Sequence, residues 1–436
     1  MQKCFPPRPV SEEVVQEVGY GKRGSCQQKQ TDLQPCYCLI IFQHQSIQAM
    51  SRLDSMWLSL RAGLGDLFLQ EHHRPYGILN RFPQEQSSQM ITLIGKQTKN
   101  LVMRKLWFGR DFQEAVEGEV HLRANVETFS HVSPVLFADC ELHASYALPF
   151  VDSKRCPNDI VRRPMLWCRK SSQQLNAAEL GQIFYAKVLA PLSTVICFFA
   201  DDLGGLAAVA QILALWLLKV ANSPSDLPPT ANPRVLILIH WDSITTFNEQ
   251  SATRQFMLEL GRELEGANRS LRSKVIGKMK KSELDKLLAS QFGGIRVIAL
   301  PNSKCTSRSW RPLKSRIETD SYEMQNRRID ARVAFSTKHF KVLFNAVCEH
   351  FSSDIVDPFS FIRATRIQYP IPVEFGSHIT EFLKKVDDTQ LFTFAVPIIA
   401  SALVFDSYPP GMHSKFELVS LTAVSNTVRI SPYFSV

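Results

Sequence analysis

The chain has 436 residues, 45% of them hydrophobic and 21% charged, with a formal net charge of +9. That is close to ordinary globular composition, so disorder is not the default for most of the chain, and the length leaves room for two or three domains. The basic surplus is scattered, apart from short runs at Lys274–Lys281 and Lys304–Arg316, so it reads as a solvated surface before it reads as a nucleic-acid footprint.

The ten cysteines are widely spaced and form no dense disulfide framework, and the N-terminus lacks the apolar core of a secretory leader. Reduced thiols in an intracellular, cytoplasmic setting are the expectation. Residues 1–87 read as an irregular region, with Pro6, Pro7, Pro9 and a Gln-rich stretch at its start. Within it, Cys38–Phe42 is a strand candidate. Ser51–Leu69 is a helix candidate through Leu53, Met56, Leu58, Leu60 and Leu64. Cys36, Cys38, His44, His72 and His73 invite a zinc reading, but Cys-x-Cys is tighter than the usual ligand spacing and no second cysteine pair follows.

From Met90 the pattern changes to apolar strands separated by helices. Met90–Gly95, Pro134–Cys140, Thr194–Asp202, Arg234–Asp242 and Ile295–Asn302 are strand candidates. A helix is expected from Leu101 to about Glu117. The apolar run Leu206–Ala221 offers about 16 positions, short of the ~20 that span a bilayer, so it reads as a helix buried on a sheet. Continuous Val/Ile/Leu strands alternating with helices predict an α/β fold, with a mostly parallel sheet covered by helices on both faces, over residues 88–305. Residues 306–436 read as mainly helical, with helices at Thr337–Phe351 and from Asp357 onward, and a tail without clear period. No membrane span is predicted.

The chemistry centres on Ile94-Gly95-Lys96-Gln97-Thr98-Lys99-Asn100-Leu101-Val102. A strand running into glycine and then a helix is the setting of a phosphate loop, where backbone N–H groups cradle phosphate, a lysine neutralises it and a hydroxyl holds Mg²⁺. The full G-x-x-x-x-G-K-[ST] string is absent. In a shortened loop Lys99 and Asn100 fall at the Lys-Ser positions, and Lys96 directly follows the turn. Asp139, ending the strand Leu136-Phe137-Ala138-Asp139, is the candidate metal ligand. At the end of the fourth strand, only Asp242 or Ser243 could act as the acceptor for a nucleotide base, and Asp242 is the candidate. Gly95, Lys96, Lys99, Asn100 and Asp242 thus form the expected nucleotide site, for GTP or ATP with Mg²⁺ at Asp139. Leu142 stands where a D-x-x-G switch would need glycine, and no G-x-S-x-G nucleophile motif occurs.

The stretch Val120–Glu141, VHLRANVETFSHVSPVLFADCE, resembles the switch and metal-strand region of the GTPase-like, P-loop NTPase domain of large fungal multidomain proteins, many of which carry a patatin-like phospholipase domain further along. MITLIG, NPRVLILIH and the segment from His339 to Phe375 are similar to the corresponding blocks of that family, so the resemblance covers about residues 88–375. It implies a P-loop NTPase-like fold. The departures at the loop, at Leu142 and at His240 imply a degenerate, truncated member: a pseudo-GTPase acting in regulation or assembly, with an intramolecular or protein partner. An active NTPase with an atypical loop, or a regulatory fragment of a patatin-like phospholipase protein, is the alternative.

Overall fold

The computed structural model describes residues 55–407 apart from 64–65, 82–85, 142–147, 151–158, 171–176, 221–225, 242–245, 271–280, 303–304, 332, 354–356, 362–363 and 365–373. Its strands are β1 (Met56–Ala62), β2 (Leu67–His72), β3 (Gln89–Ile94), β4 (Glu119–Ala124), β5 (Val135–Cys140), β6 (Ile160–Pro164), β7 (Val195–Phe199), β8 (Arg234–His240) and β9 (Ile295–Leu300). They form one sheet in the order β6-β2-β1-β4-β5-β3-β7-β8-β9. The main helices are α1 (Gln97–Met103), α2 (Ala177–Phe184), α3 (Leu206–Val220), α4 (Glu249–Ser270), α5 (Ser307–Asp330), α6 (Thr337–Ser353), α7 (Phe375–Leu383) and α8 (Val396–Ser407).

The sheet is mixed. β5, β3, β7, β8 and β9 run parallel, whereas β6, β2, β1, β4 and β5 pair antiparallel. The five strand candidates are β3, β5, β7, β8 and β9, and these run parallel as expected. The antiparallel half comes from β6, β2, β1 and β4, which the strand candidates did not include. Every residue of β3, β5 and β7 is buried, which explains why those strands read as unbroken apolar runs.

Alternate residues of each strand serve opposite layers. Ile91 and Leu93 of β3 pack with Val102, Met103, Leu106, Trp310, Leu313 and Ile317. Met90 and Ile94 face the opposite layer, with Val209, Leu213, Phe256, Leu260 and Phe344. Helices thus cover both faces, as expected.

The helix expected over Ser51–Leu69 is instead part of a hairpin, β1–β2, paired in register from Leu58↔Glu71 to Ala62↔Leu67. Met56, Leu58 and Leu60 recur at intervals of two, a spacing that β1 uses once it is paired. The candidate strand Cys38–Phe42 lies outside the described residues.

The hairpin extends the central sheet through β1–β4 pairing. Helix α5 is equally integral: Arg234 Nη1 lies 2.5 Å from Asp320 Oδ1, and Ser321 Oγ donates to Gln89 Oε1 at 2.6 Å. Neither residue 88 nor residue 306 marks a break in packing.

Helix α1 begins at Gln97, four residues before the expected start, and after Met103 passes into a π-turn at Arg104–Phe108. The short helix Ala200–Leu203 takes up the acidic end expected of β7. Helix α6 matches expectation. The helix expected from Asp357 starts later: Asp357–Ser360 is irregular, and Asp226, not Asp357, receives the Phe361 amide at 2.8 Å.

Candidate functional site

The loop after β3 sits where the chain's route across the sheet reverses. From β3 the chain goes to one side, to β4, β5 and the edge strand β6, and then returns past β3 to β7, β8 and β9. In open α/β sheets the crevice beyond the strand ends at such a reversal is where ligands bind. Gly95 follows β3 there, and Lys96 precedes the first turn of α1.

The backbone N–H groups of this loop converge on a carboxylate of the same chain. Asp202, on the short helix after β7, accepts from Lys96 N at 2.6 Å and Lys99 N at 3.0 Å through Oδ2, and from Thr98 N at 2.9 Å through Oδ1. An anion at unsatisfied helix-start amides is what their partial positive charge favours. Here the protein supplies it. Gly95 is the residue that permits the approach: a Cβ on it would lie 2.7 Å from Asp202 Oδ2 and 2.8 Å from Phe199 Cβ.

The side chain of Lys99 turns away from that loop and into the sheet. Its Nζ lies 2.6 Å from Asp139 Oδ1 and 3.0 Å from Glu141 Oε1, and donates to the Cys140 carbonyl at 3.3 Å. Arg123, from the neighbouring strand β4, brings Nε to 3.0 Å from Asp139 Oδ2. Its guanidinium lies over the Phe112 ring at 4.6 Å. Asp139 and Lys99 are both 0% exposed.

Burial opposes charge on each of these groups, and the outcome depends on the neighbours. For Lys99 it is outweighed by Asp139 and Glu141, which hold the ammonium's pKa above its ordinary value. For Asp139 it is outweighed by Lys99 and then Arg123, which hold the carboxyl below its ordinary value. Glu141 goes the other way: burial, only partly offset by Lys99, raises its pKa. The lysine's firm partner is therefore Asp139.

The network continues along β4. His121 is paired in register with Asp139, and burial, only partly offset by the hydrogen bond to Glu119, lowers its pKa. Its Nδ1 is 2.9 Å from Ser55 Oγ and its Nε2 is 3.1 Å from Glu119 Oε2. Arg61 in turn pairs with Glu119 at 3.2 Å. The Ser-His-Glu row has the residue types of a hydrolase triad, but its serine is 2% exposed, so it serves as a buried polar bridge between β1 and β4.

The structure thus brings together Gly95, Lys96, Lys99, Asn100 and Asp139 from the expected site. Gly95 and the Lys96 amide face Asp202. Lys99 and Asn100 face the Asp139–Glu141 end of β5, with Asn100 Nδ2 at 3.5 Å from Glu141 Oε1. Asp242 lies outside the described residues.

The decisive additions are Arg123, Glu141, Asp201 and Asp202. Asp202 carried a signal, because an acid follows the apolar strand next to β3. Nothing in the sequence marked Arg123, which depends on the antiparallel pairing of β4 with β5. Among the described residues no group of three or more His, Cys, Asp or Glu side chains is arranged to hold a metal ion. Of the zinc candidates, Cys36, Cys38 and His44 lie outside the described residues, and His72 and His73 form no such cluster with other described residues. Cys140, Cys168, Cys197, Cys305 and Cys348 are free thiols, and among the described residues no helix is long and apolar enough to cross a membrane. Compared with known proteins, the chain matches no family model and no curated protein.

Proposed function

We propose that this chain is a GTPase-like, P-loop-derived module that regulates or assembles by protein contact and has lost Mg²⁺-dependent nucleotide hydrolysis. The observation that carries this reading is the state of Asp139. The acid that would serve Mg²⁺ has one oxygen paired with Lys99 and the other with Arg123, in a fully buried setting. A divalent cation there would have to displace two resident cations and strand them in a low-dielectric interior. Asn100 stands at the position of the Mg²⁺-binding hydroxyl in the shortened loop, and it turns to Glu141. These residues do not fit the metal, so no hydrolytic step is derived through it. The strand–glycine–helix loop at the reversal of the sheet supports the P-loop part of the reading.

A second reading, an active GTP- or ATP-hydrolysing site with a short loop, has one observation in its favour: Lys99 occupies the first turn of the helix that follows Gly95. Association with a patatin-like phospholipase rests on the sequence resemblance alone. Titration of fluorescent GTP and ATP analogues, with and without Mg²⁺, separates the two readings. The expected result is no Mg²⁺-dependent binding in the micromolar range. Micromolar, Mg²⁺-dependent binding that disappears in Asp139→Ala would overturn the proposal.

A further inference from the structure

Asp201 and Asp202 are adjacent, yet they bind different parts of the fold. Asp202 takes three amides of the loop after β3. Asp201 takes the end of β8, accepting from His240 N at 2.9 Å and lying 2.6 Å from His240 Nδ1. The two carboxylates ride on one short turn. That turn ends in Gly204 and Gly205, at φ 100° and 95°, and closes through Gly205 N to Ala200 O at 2.7 Å. Two consecutive left-handed residues suit glycine and let the chain leave the turn sharply for α3.

We infer that the turn Ala200–Gly205 is an intramolecular clip that closes the phosphate-type loop and the end of β8 together, an autoinhibitory contact built from the Asp201–Asp202 pair. The inference rests on the preceding reading of the loop as a phosphate cradle. It adds that the cradle is occupied by the protein's own anion and that its release is coupled to β8.

Three features support this. Both oxygens of Asp202 are engaged, as a phosphate's would be. The seat is shaped for it, because only glycine at position 95 leaves room for the carboxylate. Finally, the Asp201 side chain is 42% exposed, so water can replace its bonds when the turn moves. A polyanion approaching the closed clip meets two carboxylates instead of free amides.

The test uses the full chain and two variants that open the clip by different means. Asp202→Ala removes the anion, and Gly95→Ala keeps it but obstructs its seat. Amide hydrogen exchange should accelerate at least about tenfold at Lys96, Thr98 and Lys99 in both variants, and at His240 as well, because Asp201 travels with the same turn. Binding of a fluorescent GTP analogue without Mg²⁺ should strengthen at least about tenfold in Asp202→Ala, a difference of about 1.4 kcal/mol, but not in Gly95→Ala, whose added Cβ fills the seat against any anion. Acceleration confined to the β3 loop, with His240 unchanged, overturns the coupled clip. A folded Asp202→Ala that binds no better than the unmodified chain overturns the autoinhibition. Mg²⁺-dependent binding by the unmodified chain instead sinks the loss-of-hydrolysis reading, so the two failures are distinguishable.

Discussion

Lys99 Nζ lies 2.6 Å from Asp139 Oδ1, and neither side chain is exposed to solvent. The lysine comes from the helix after β3 and the aspartate from the end of β5, so the ion pair ties the loop to the sheet at the point where a nucleotide site would require both groups to face a ligand.

Breaking that pair from one side should be costly. Lys99→Met leaves Asp139 with Arg123 alone, and Asp139→Asn leaves Lys99 with Glu141, whose own pKa is raised. Each should lose about 3–5 kcal/mol of stability in urea unfolding. The double variant should lose less than the sum of the two, because the lysine's charge goes with that of its partner and only Arg123 is left without its carboxylate. Additive losses would show that the pair is not a unit.

Magnesium should not stabilise the fold. Raising Mg²⁺ to millimolar levels, alone or with GTP, should leave the thermal midpoint of the unmodified chain unchanged, since a ligand stabilises only in proportion to its binding of the native state. A rise that grows with Mg²⁺ concentration and vanishes in Asp139→Asn would show a functional metal site.

Stability should fall as the solution is acidified through the histidine range. Burial, then Arg61, lowers the His72 pKa from 6.5 to about 4, and burial lowers that of His121 as well. Below pH 6.5 the unfolded chain takes up protons that the folded chain refuses. Stability is therefore present in full above that pH and declines toward pH 4. His72 should account for about 2 kcal/mol of this after discounting for its partial solvation. His72→Leu should flatten the decline in urea midpoints measured from pH 7 to pH 4. An unchanged slope would place the titration elsewhere.

Arg328 should prove a clamp that lysine cannot replace. It is buried on α5, and its guanidinium donates to the carbonyls of Pro191, Leu192, Ser193 and Ala231. Burial lowers its pKa to about 10. Arg328→Lys keeps the charge but loses the planar fork, and should cost about 2–4 kcal/mol in unfolding experiments. A loss below about 0.5 kcal/mol would mean that water satisfies those carbonyls.

The parallel half of the sheet was legible from the residues. MITLI, VLFADC and VICFF are apolar at consecutive positions because both of their faces are covered, and burial on two sides leaves an unmistakable composition. The β1–β2 hairpin was not. Its few alternating leucines fit a helical count as easily as a strand count until partners are known, and only its pairing with β4 decides between them. The site divides in the same way. Gly95 and Asp139 stand out locally, as a glycine after a strand and an acid ending one. Arg123 does not, because a lone arginine in a strand is ordinarily a surface residue.

What the sequence determined by itself is therefore the layered α/β plan, the position of the loop after β3 and the failure of that loop to match a working phosphate motif. Each is a property of neighbouring residues, set by backbone chemistry and hydrophobic period. Only the tertiary structure decided what fills the loop. Asp202 reaches it from 106 residues away in sequence, and Lys99 and Arg123 meet on Asp139 from two further elements. Charge compensation in a buried site depends on distances of a few ångströms between remote segments, and those distances exist only once the sheet has formed.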